Sequence, residues 1–279
     1  MLSIQNIDAG YGGEPVLHGV SLDVADGEFV GLIGPNGCGK TTLLRVISGV
    51  LPVQAGQVMI EDDDLKHIDR RRLARTMACL SQDLSLDLAF TVRDVATMGR
   101  APHLGKFAQE SPEDHEIVEA KMKLADVAHL GDRPITEISG GERQRAFIAM
   151  CLAQQPRVFL LDEPTSHLDV GHQLAILDLI RGLNRDTGMT VVAVFHDLNL
   201  AAEYCDRLLV LTDGRTEATG TPDDTLTADM IRRIYGANVR AERNPVSGKP
   251  HVVIAADMNR AETADGCKVG EMEKGEKGK

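Results

Sequence analysis

The sequence predicts an α/β fold: a mainly parallel sheet flanked by helices, with an antiparallel β region at its start and an inserted α-helical subdomain. Three observations predict it. Continuous apolar runs at 29–33, 158–161, 191–195 and 208–211 are separated by stretches of helical spacing, the alternation that builds a parallel sheet. Residues 1–30 instead alternate apolar and polar positions, with Leu2 and Ile4 followed by Val20, Leu22 and Val24, as antiparallel strands do. Between about 85 and 150 the strand signals vanish while helical spacing persists.

Taken in order, the opening strands are broken by glycines at 10–13 and by Asp26-Gly27. The apolar run 29–33 then enters a glycine-rich turn and a helix whose Leu43, Val46, Ile47 and Val50 share one face. Short strands are predicted at 57–60 and 77–80. Residues 111–130 carry Ile117, Val118, Met122, Leu124, Val127 and Leu130 at helical spacing, with charges outward. Helices near 171–186 and 198–205 separate the later strands, and Asp213-Gly214 marks a tight hairpin. From 260 onward the chain is mostly Glu, Lys, Gly and Ala, too polar to pack. The expected organisation is one domain over 1–258, with the helical subdomain at about 85–150 and a disordered polar tail over 259–279. No long-period repeat is present.

Composition narrows the function. The 279 residues are 43% hydrophobic and 26% charged, enough for a full core. No run of eighteen apolar residues exists, so a membrane-spanning helix is not expected. The first residues lack a secretory pattern, which predicts retention in the cytosol. Five scattered cysteines, Cys38, Cys79, Cys151, Cys205 and Cys267, form no CxxC pair, and reduced thiols are expected. The net charge of −12 argues against nucleic acid as a partner, because gripping a phosphate backbone needs a basic face. It leaves a nucleotide open, since local amides and one lysine suffice for a few phosphates.

Gly34-Pro35-Asn36-Gly37-Cys38-Gly39-Lys40-Thr41 fits G-x-x-x-x-G-K-[ST] between a predicted strand and helix, the context that a phosphate-binding loop requires. Glycines let amides turn inward, and the helix start adds partial positive charge. Lys40 is then expected to reach the β- and γ-phosphates of ATP, Thr41 to ligate Mg²⁺, and Thr42 to complete the cradle. The core is that of a P-loop NTPase. The run Val158-Phe159-Leu160-Leu161-Asp162-Glu163 sets two carboxylates at a strand's carboxyl end, where open α/β sheets place ligands. Asp162 suits Mg²⁺, and Glu163 suits polarising a water.

Ile138-Ser139-Gly140-Gly141-Glu142-Arg143-Gln144-Arg145, just before that strand, resembles the signature sequence of ABC-transporter ATPases. The resemblance covers about residues 1–255. It implies that Ser139, Gly140, Gly141 and Glu142 meet the γ-phosphate of ATP held by a second copy, through a helix start suited to an anion. It implies further that Gln82 is the Q-loop glutamine near Mg²⁺, the water and the permease. Ser166-His167-Leu168-Asp169 is similar to the D-loop, His196 to the switch histidine on the γ-phosphate, and Tyr11, in the loop after the first strand, to the aromatic that stacks on adenine.

Two positions depart from the family's commoner residues: Glu142 stands where glutamine is frequent, and Cys38 where serine is. Neither removes a backbone amide, so activity is expected to persist. Cys38 is either a thiol of lowered pKa beside Lys40 or an unreactive loop thiol. Within the family, three stretches resemble importers of iron-siderophore, haem and cobalamin type: 91–105, containing Met98-Gly99-Arg100-Ala101-Pro102-His103; 196–202; and Asn244-Pro245-Val246-Ser247-Gly248-Lys249-Pro250. Partners implied are a second copy, transmembrane permease subunits and, indirectly, an external substrate-binding protein, with the chain peripheral on the cytoplasmic face. Glu61 to Asp64 and the basic stretch 69–75 read as solvated surface, the arginines alternatively as a permease contact. His18, His67, His115, His129 and His172 show no metal-ligand spacing. The alternative function is a cassette ATPase acting on DNA or ribosomes; the second cassette, coiled coil or basic arm typical of those is not legible here.

Overall fold

The computed structural model describes residues 2–82, 90–105, 108–166 and 168–254. The polar tail expected at 259–279, the domain end at 258 and His167 of the D-loop-like stretch lie outside the described residues. Strands β1 (Leu2–Tyr11) and β2 (Glu14–Val24) pair antiparallel, and β3 (Phe29–Ile33) leads through a glycine loop to α1 (Lys40–Ile47). Then follow β4 (Ala55–Ile60), β5 (Asp63–Asp64), α2 (Arg70–Thr76) and β6 (Met77–Leu80). The insert contributes α3 (Val92–Met98), α4 (Pro112–Leu124) and α5 (Gly140–Ala153). The core resumes with β7 (Val158–Leu161), α6 (Val170–Thr187), β8 (Thr190–Val194), α7 (Leu198–Tyr204), β9 (Arg207–Thr212) and β10 (Arg215–Gly220). The chain continues through α8 (Pro222–Thr225), α9 (Ala228–Tyr235), β11 (Val239–Arg243) and β12 (Pro250–Ile254).

The main sheet runs β10-β9-β3-β8-β7-β6 and is parallel except for β10. Strands β3, β7, β8 and β9 read as nearly unbroken apolar runs because both of their faces are covered. Phe29, Ile33, Phe159, Leu161, Val191, Ala193, Leu208 and Val210 face one core with residues of α5, α6 and α7. Val30, Leu32, Leu160, Val192, Val194, Leu209 and Leu211 face the other, shared with α1 and the sheet β2-β1-β4-β5. Asp213 and Gly214, at φ 47° and 71°, close the β9–β10 hairpin, as a tight I′ turn requires.

Two expectations on helix faces change. α1 ends at Ile47, and Gly49 at φ 72° turns the chain away, leaving Val50 75% exposed rather than on the buried face. α4 ends at Leu124, which is exposed, while Val118 and Met122 carry its buried face. Tyr11 is the last residue of β1, not a loop residue.

Each insert helix opens with a reciprocal capping box: Thr91 with Asp94, Ser111 with Asp114, and Ser139 with Glu142. Each box satisfies amides that a helix start leaves without partners. Arg100 ties α4 to the end of α5, donating to Asp114 Oδ1 at 2.8 Å, to the Ala153 carbonyl at 2.7 Å and to Gln155 at 3.0 Å. Hydrogen bonds from Ser111, together with Arg100, hold the Asp114 carboxyl well below the usual carboxylate range. Both side chains of this ion pair are buried, and removing one partner of such a pair costs about 3–5 kcal/mol. Arg100→Ala is therefore expected to lower the unfolding free energy obtained from urea denaturation by that amount; an unchanged free energy would show that the pair adds nothing. The basic stretch of α2 is partly structural too: Arg71 and Arg75 both donate to the Pro102 carbonyl, and Arg72 pairs with Asp63.

Candidate active site

The register of the sheet decides what meets what. Leu32 pairs with Val194, Leu161 with Ala193, and Leu80 with Leu161, so the carboxyl ends of adjacent strands β3, β8, β7 and β6 align. The segments leaving those ends carry Lys40, His196, Asp162 with Glu163, and Gln82 respectively. Four segments far apart in sequence thus meet at one edge, where open α/β sheets hold ligands.

The loop after β3 needs its glycines. At Gly34, φ is 147° and an added Cβ would lie 2.1 Å from the Leu211 carbonyl oxygen; at Gly39, φ is 107° and it would lie 2.7 Å from Leu17 Cδ2. Neither conformation nor space suits a side chain. The loop delivers Lys40 into α1 almost fully buried, its Nζ donating to the Gly34 carbonyl at 2.7 Å and the Pro35 carbonyl at 2.9 Å. Cys38 is buried with its Sγ 3.9 Å from Lys40 Nζ. Burial pushes its thiol up and outweighs the pull of Lys40, the opposite direction to the lowered pKa that the sequence left open.

Thr41 Oγ1 donates to Asp162 Oδ1 at 3.1 Å. Burial raises the Asp162 pKa, the Thr41 hydrogen bond opposes the rise, and the neighbouring Glu163 charge adds to it. Glu163 itself sits at φ 52°, a left-handed conformation costing about 1–3 kcal/mol for a non-glycine residue. Its carboxylate is met from three segments. Gln82 Nε2 donates to Oε2 at 2.7 Å, Ser166 Oγ donates to the same oxygen at 2.9 Å, and His196 Nε2 contacts Oε1. Asn36, Gly37, Gly39, Lys40, Thr41, Thr42, Gln82, Glu163 and His196 line one cavity of about 360 Å³. Ser166, which supplies one of Glu163's contacts, was readable only as part of a D-loop-like stretch.

The remaining candidates lie elsewhere on the chain. Tyr11 receives a hydrogen bond from Arg45 at 2.9 Å, with the guanidinium 5.9 Å from its ring centre. Ser139 donates to Glu142 Oε2 through Oγ at 2.7 Å and through its amide at 2.8 Å, and the Glu142 amide donates to Ser139 Oγ at 3.3 Å. Those Ser139 contacts lower the Glu142 pKa, so this departure from glutamine is a working cap. Asp169 caps α6, accepting from the His172 amide at 2.9 Å and contacting its ring nitrogen at 2.8 Å. The His172 ring packs so closely on Gly141 that an added Cβ there would lie 2.7 Å from it. His172 shows no metal-ligand spacing in the sequence; the signal for this contact was its i,i+3 spacing from a capping aspartate. Among the described residues no group of three or more His, Cys, Asp or Glu side chains is placed to hold a metal ion, and no helix is long and apolar enough to cross a membrane.

Comparison with known proteins identifies the family. Residues 17–166 match the family model described as ABC transporter. The chain is 40% identical over 249 residues to the ferric enterobactin transport ATP-binding protein FepC of Escherichia coli, covering 89% of this chain and 92% of that protein. It is 43% identical over 258 residues to the hemin import ATP-binding protein HmuV of Pseudomonas fluorescens, covering 91% and 99%. Among solved structures it is similar to a metal-chelate type ABC transporter in an inward-facing conformation, with TM-score 0.81, 26% identity and coverage of 92% and 98%. A dimeric bacterial ABC transporter cassette matches with TM-score 0.71, 29% identity and coverage of 80% and 99%. The fold, the glycine loop with its buried lysine and these likenesses converge: the chain belongs to the ABC transporter family, as an ATP-binding subunit that hydrolyses ATP.

Proposed function

We propose that this chain is the motor of an importer for metal chelates of the iron-siderophore, haem or cobalamin class. The observation that carries the reading is the meeting of Lys40, Thr41, Asp162, Glu163, Gln82 and His196 at the ends of four adjacent strands. Lys40 and the loop amides bind the triphosphate of ATP. Thr41 and Asp162 present hard oxygens within hydrogen-bond reach of each other, and a buried carboxylate of raised pKa fits a divalent cation; Mg²⁺ held there would neutralise phosphate charge. Glu163 orients and polarises the attacking water, and His196 steadies the γ-phosphate. Tyr11 stacks on adenine.

The segment Ser139-Gly140-Gly141-Glu142 and Asp169 lie outside the cavity that holds Lys40. Both sit at helix starts, which favour anions. In our reading they complete the site of a second copy, so that two chains close in two-fold symmetry on two MgATP. Hydrolysis reopens the pair. Gln82, at the junction of core and helical insert, passes that motion to permease subunits on the cytoplasmic face of the membrane, with an external binding protein delivering the cargo. The names of the relatives, which include ferric enterobactin, hemin and cobalamin transport proteins, support the cargo class, and the stretches at 91–105, 196–202 and 244–250 accord with it.

The test is pairing. Light scattering of the Glu163→Gln variant is expected to give a monomer without nucleotide and a dimer with saturating MgATP, and Ser139→Arg in that background should abolish the dimer. A chain that stays monomeric under every nucleotide condition would overturn the sandwich. Uptake of labelled ferric siderophore, hemin and cobalamin by cells lacking the chain then identifies the cargo.

A further inference from the structure

Two stretches that, His196 apart, the catalytic reading leaves without a role, 196–202 and 244–250, meet in the structure. Asn199 lies in the first turn of α7, and its side-chain amide pairs with the backbone of β12. Its Oδ1 accepts from the Val252 amide at 2.7 Å, and its Nδ2 donates to the Val252 carbonyl at 3.2 Å. One turn further along α7, Glu203 holds the turn of the β11–β12 hairpin. Its Oε1 accepts from Asn244 Nδ2 at 2.8 Å and Ser247 Oγ at 2.6 Å, while its backbone carbonyl accepts from Lys249 Nζ at 2.6 Å. The turn is closed on itself by Gly248 N–H donating to the Asn244 carbonyl at 2.8 Å. Both motifs therefore describe the two sides of one contact.

Neither side stands alone. α7 has only seven residues, too few for an isolated helix to persist in water. β11 and β12 form a separate two-stranded sheet, marginal by itself. Each supplies what the other lacks, and a small apolar cluster of Ile231, Val239 and Val252, with Leu198, Tyr235 and Ala237 against it, fills the space between. The same unit reaches the phosphate loop. Burial pushes the Tyr235 phenol up to about 12, with the Cys38 thiol adding to the rise and a hydrogen bond from the Gly34 backbone opposing it.

His196 stands at the edge of this assembly. On its amino side it is anchored by β8. On its carboxyl side comes Asp197, which caps α7 by accepting from the Asn199 and Leu200 amides. The His196 ring is about half exposed, and with Asn199, Tyr235 and Val252 it lines a cavity of about 320 Å³. Resting on the role proposed above for His196, we infer that Asn199 and Glu203 are positioning residues, and that the hairpin over residues 239–254 is a brace holding the switch histidine over Glu163.

The test uses the full chain under saturating MgATP. Asn199→Ala is expected to lower kcat about tenfold, as small displacements of a reacting group do, with nucleotide affinity changed less than about twofold. Glu203→Ala should lower kcat similarly, and Glu203→Gln, which keeps the Oε1 acceptor, should restore it. In a His196→Ala background, measured by single-turnover hydrolysis, Asn199→Ala should produce no further loss, because the group it positions is gone. A full additional loss there, or normal kcat for Asn199→Ala beside a slow His196→Ala, would overturn the brace while leaving the role of His196 intact. Normal turnover by His196→Ala itself would overturn both.

Discussion

Glu163→Gln is expected to slow ATP hydrolysis about 10³-fold, within the range that a positioned general base contributes, while ATP binding stays equal or tightens. The geometry sets both parts of that outcome. The carboxylate lies on the cavity wall, with Gln82 and Ser166 donating to Oε2 and His196 Nε2 in contact with Oε1. An amide of the same shape keeps an acceptor oxygen for Gln82 and Ser166 and turns an NH₂ toward His196 Nε2, which accepts in the other neutral tautomer, so the position survives but the proton acceptor is lost. The charge matters as well. Glu163 helps raise the pKa of Asp162, and removing that negative charge from beside a site meant for a triphosphate relieves repulsion in the bound state. Rapid-quench hydrolysis and nucleotide titration on the same preparation separate the two effects. Turnover at the normal rate by this variant would remove Glu163 from the chemistry.

How far the sequence could carry such an argument depends on the range of the contacts involved. β3, β7, β8 and β9 were legible because a strand covered on both faces has no polar register to disguise it. The loop at 34–41 was legible because its glycines answer to backbone geometry within eight residues. Glu163 was recognisable as an acid at a strand end, but not its left-handed backbone or its partners. Ser166 is only 3 positions away, but Gln82 and His196 lie 81 and 33 positions away, and only the order of β6, β7 and β8 in the sheet brings those two to it. The exposed Val50 shows the opposite failure: helical spacing continued past Gly49 on paper, while the positive φ of that glycine ended the face. The strands β11 and β12 gave no signal, since β11 is exposed except at Val239, and what fixes them is the side-chain amide of Asn199 from another element.

The same distinction between local and long-range contacts decides what Lys40→Ala should do. Lys40 is 6% exposed, and its ammonium is held by two carbonyls of its own loop. These contacts fix the cation where the loop amides converge, so little ordering remains to be done when phosphate arrives. Truncating one member of a buried, hydrogen-bonded charge pair costs about 2–5 kcal/mol, which corresponds to a loss of at least about 30-fold in MgATP affinity. Hydrolysis should fall below detection. Arginine is not expected to rescue it, because a planar fork does not fit a cradle shaped for a compact ammonium. A collapsed loop would weaken all nucleotides alike, whereas loss of a cation that serves the β- and γ-phosphates should weaken ATP more than ADP. Fluorescence titration with both nucleotides reads that difference. Equal losses would point to a damaged loop, and ATP affinity within about threefold of the unaltered chain would show that the phosphates are held by the amides alone.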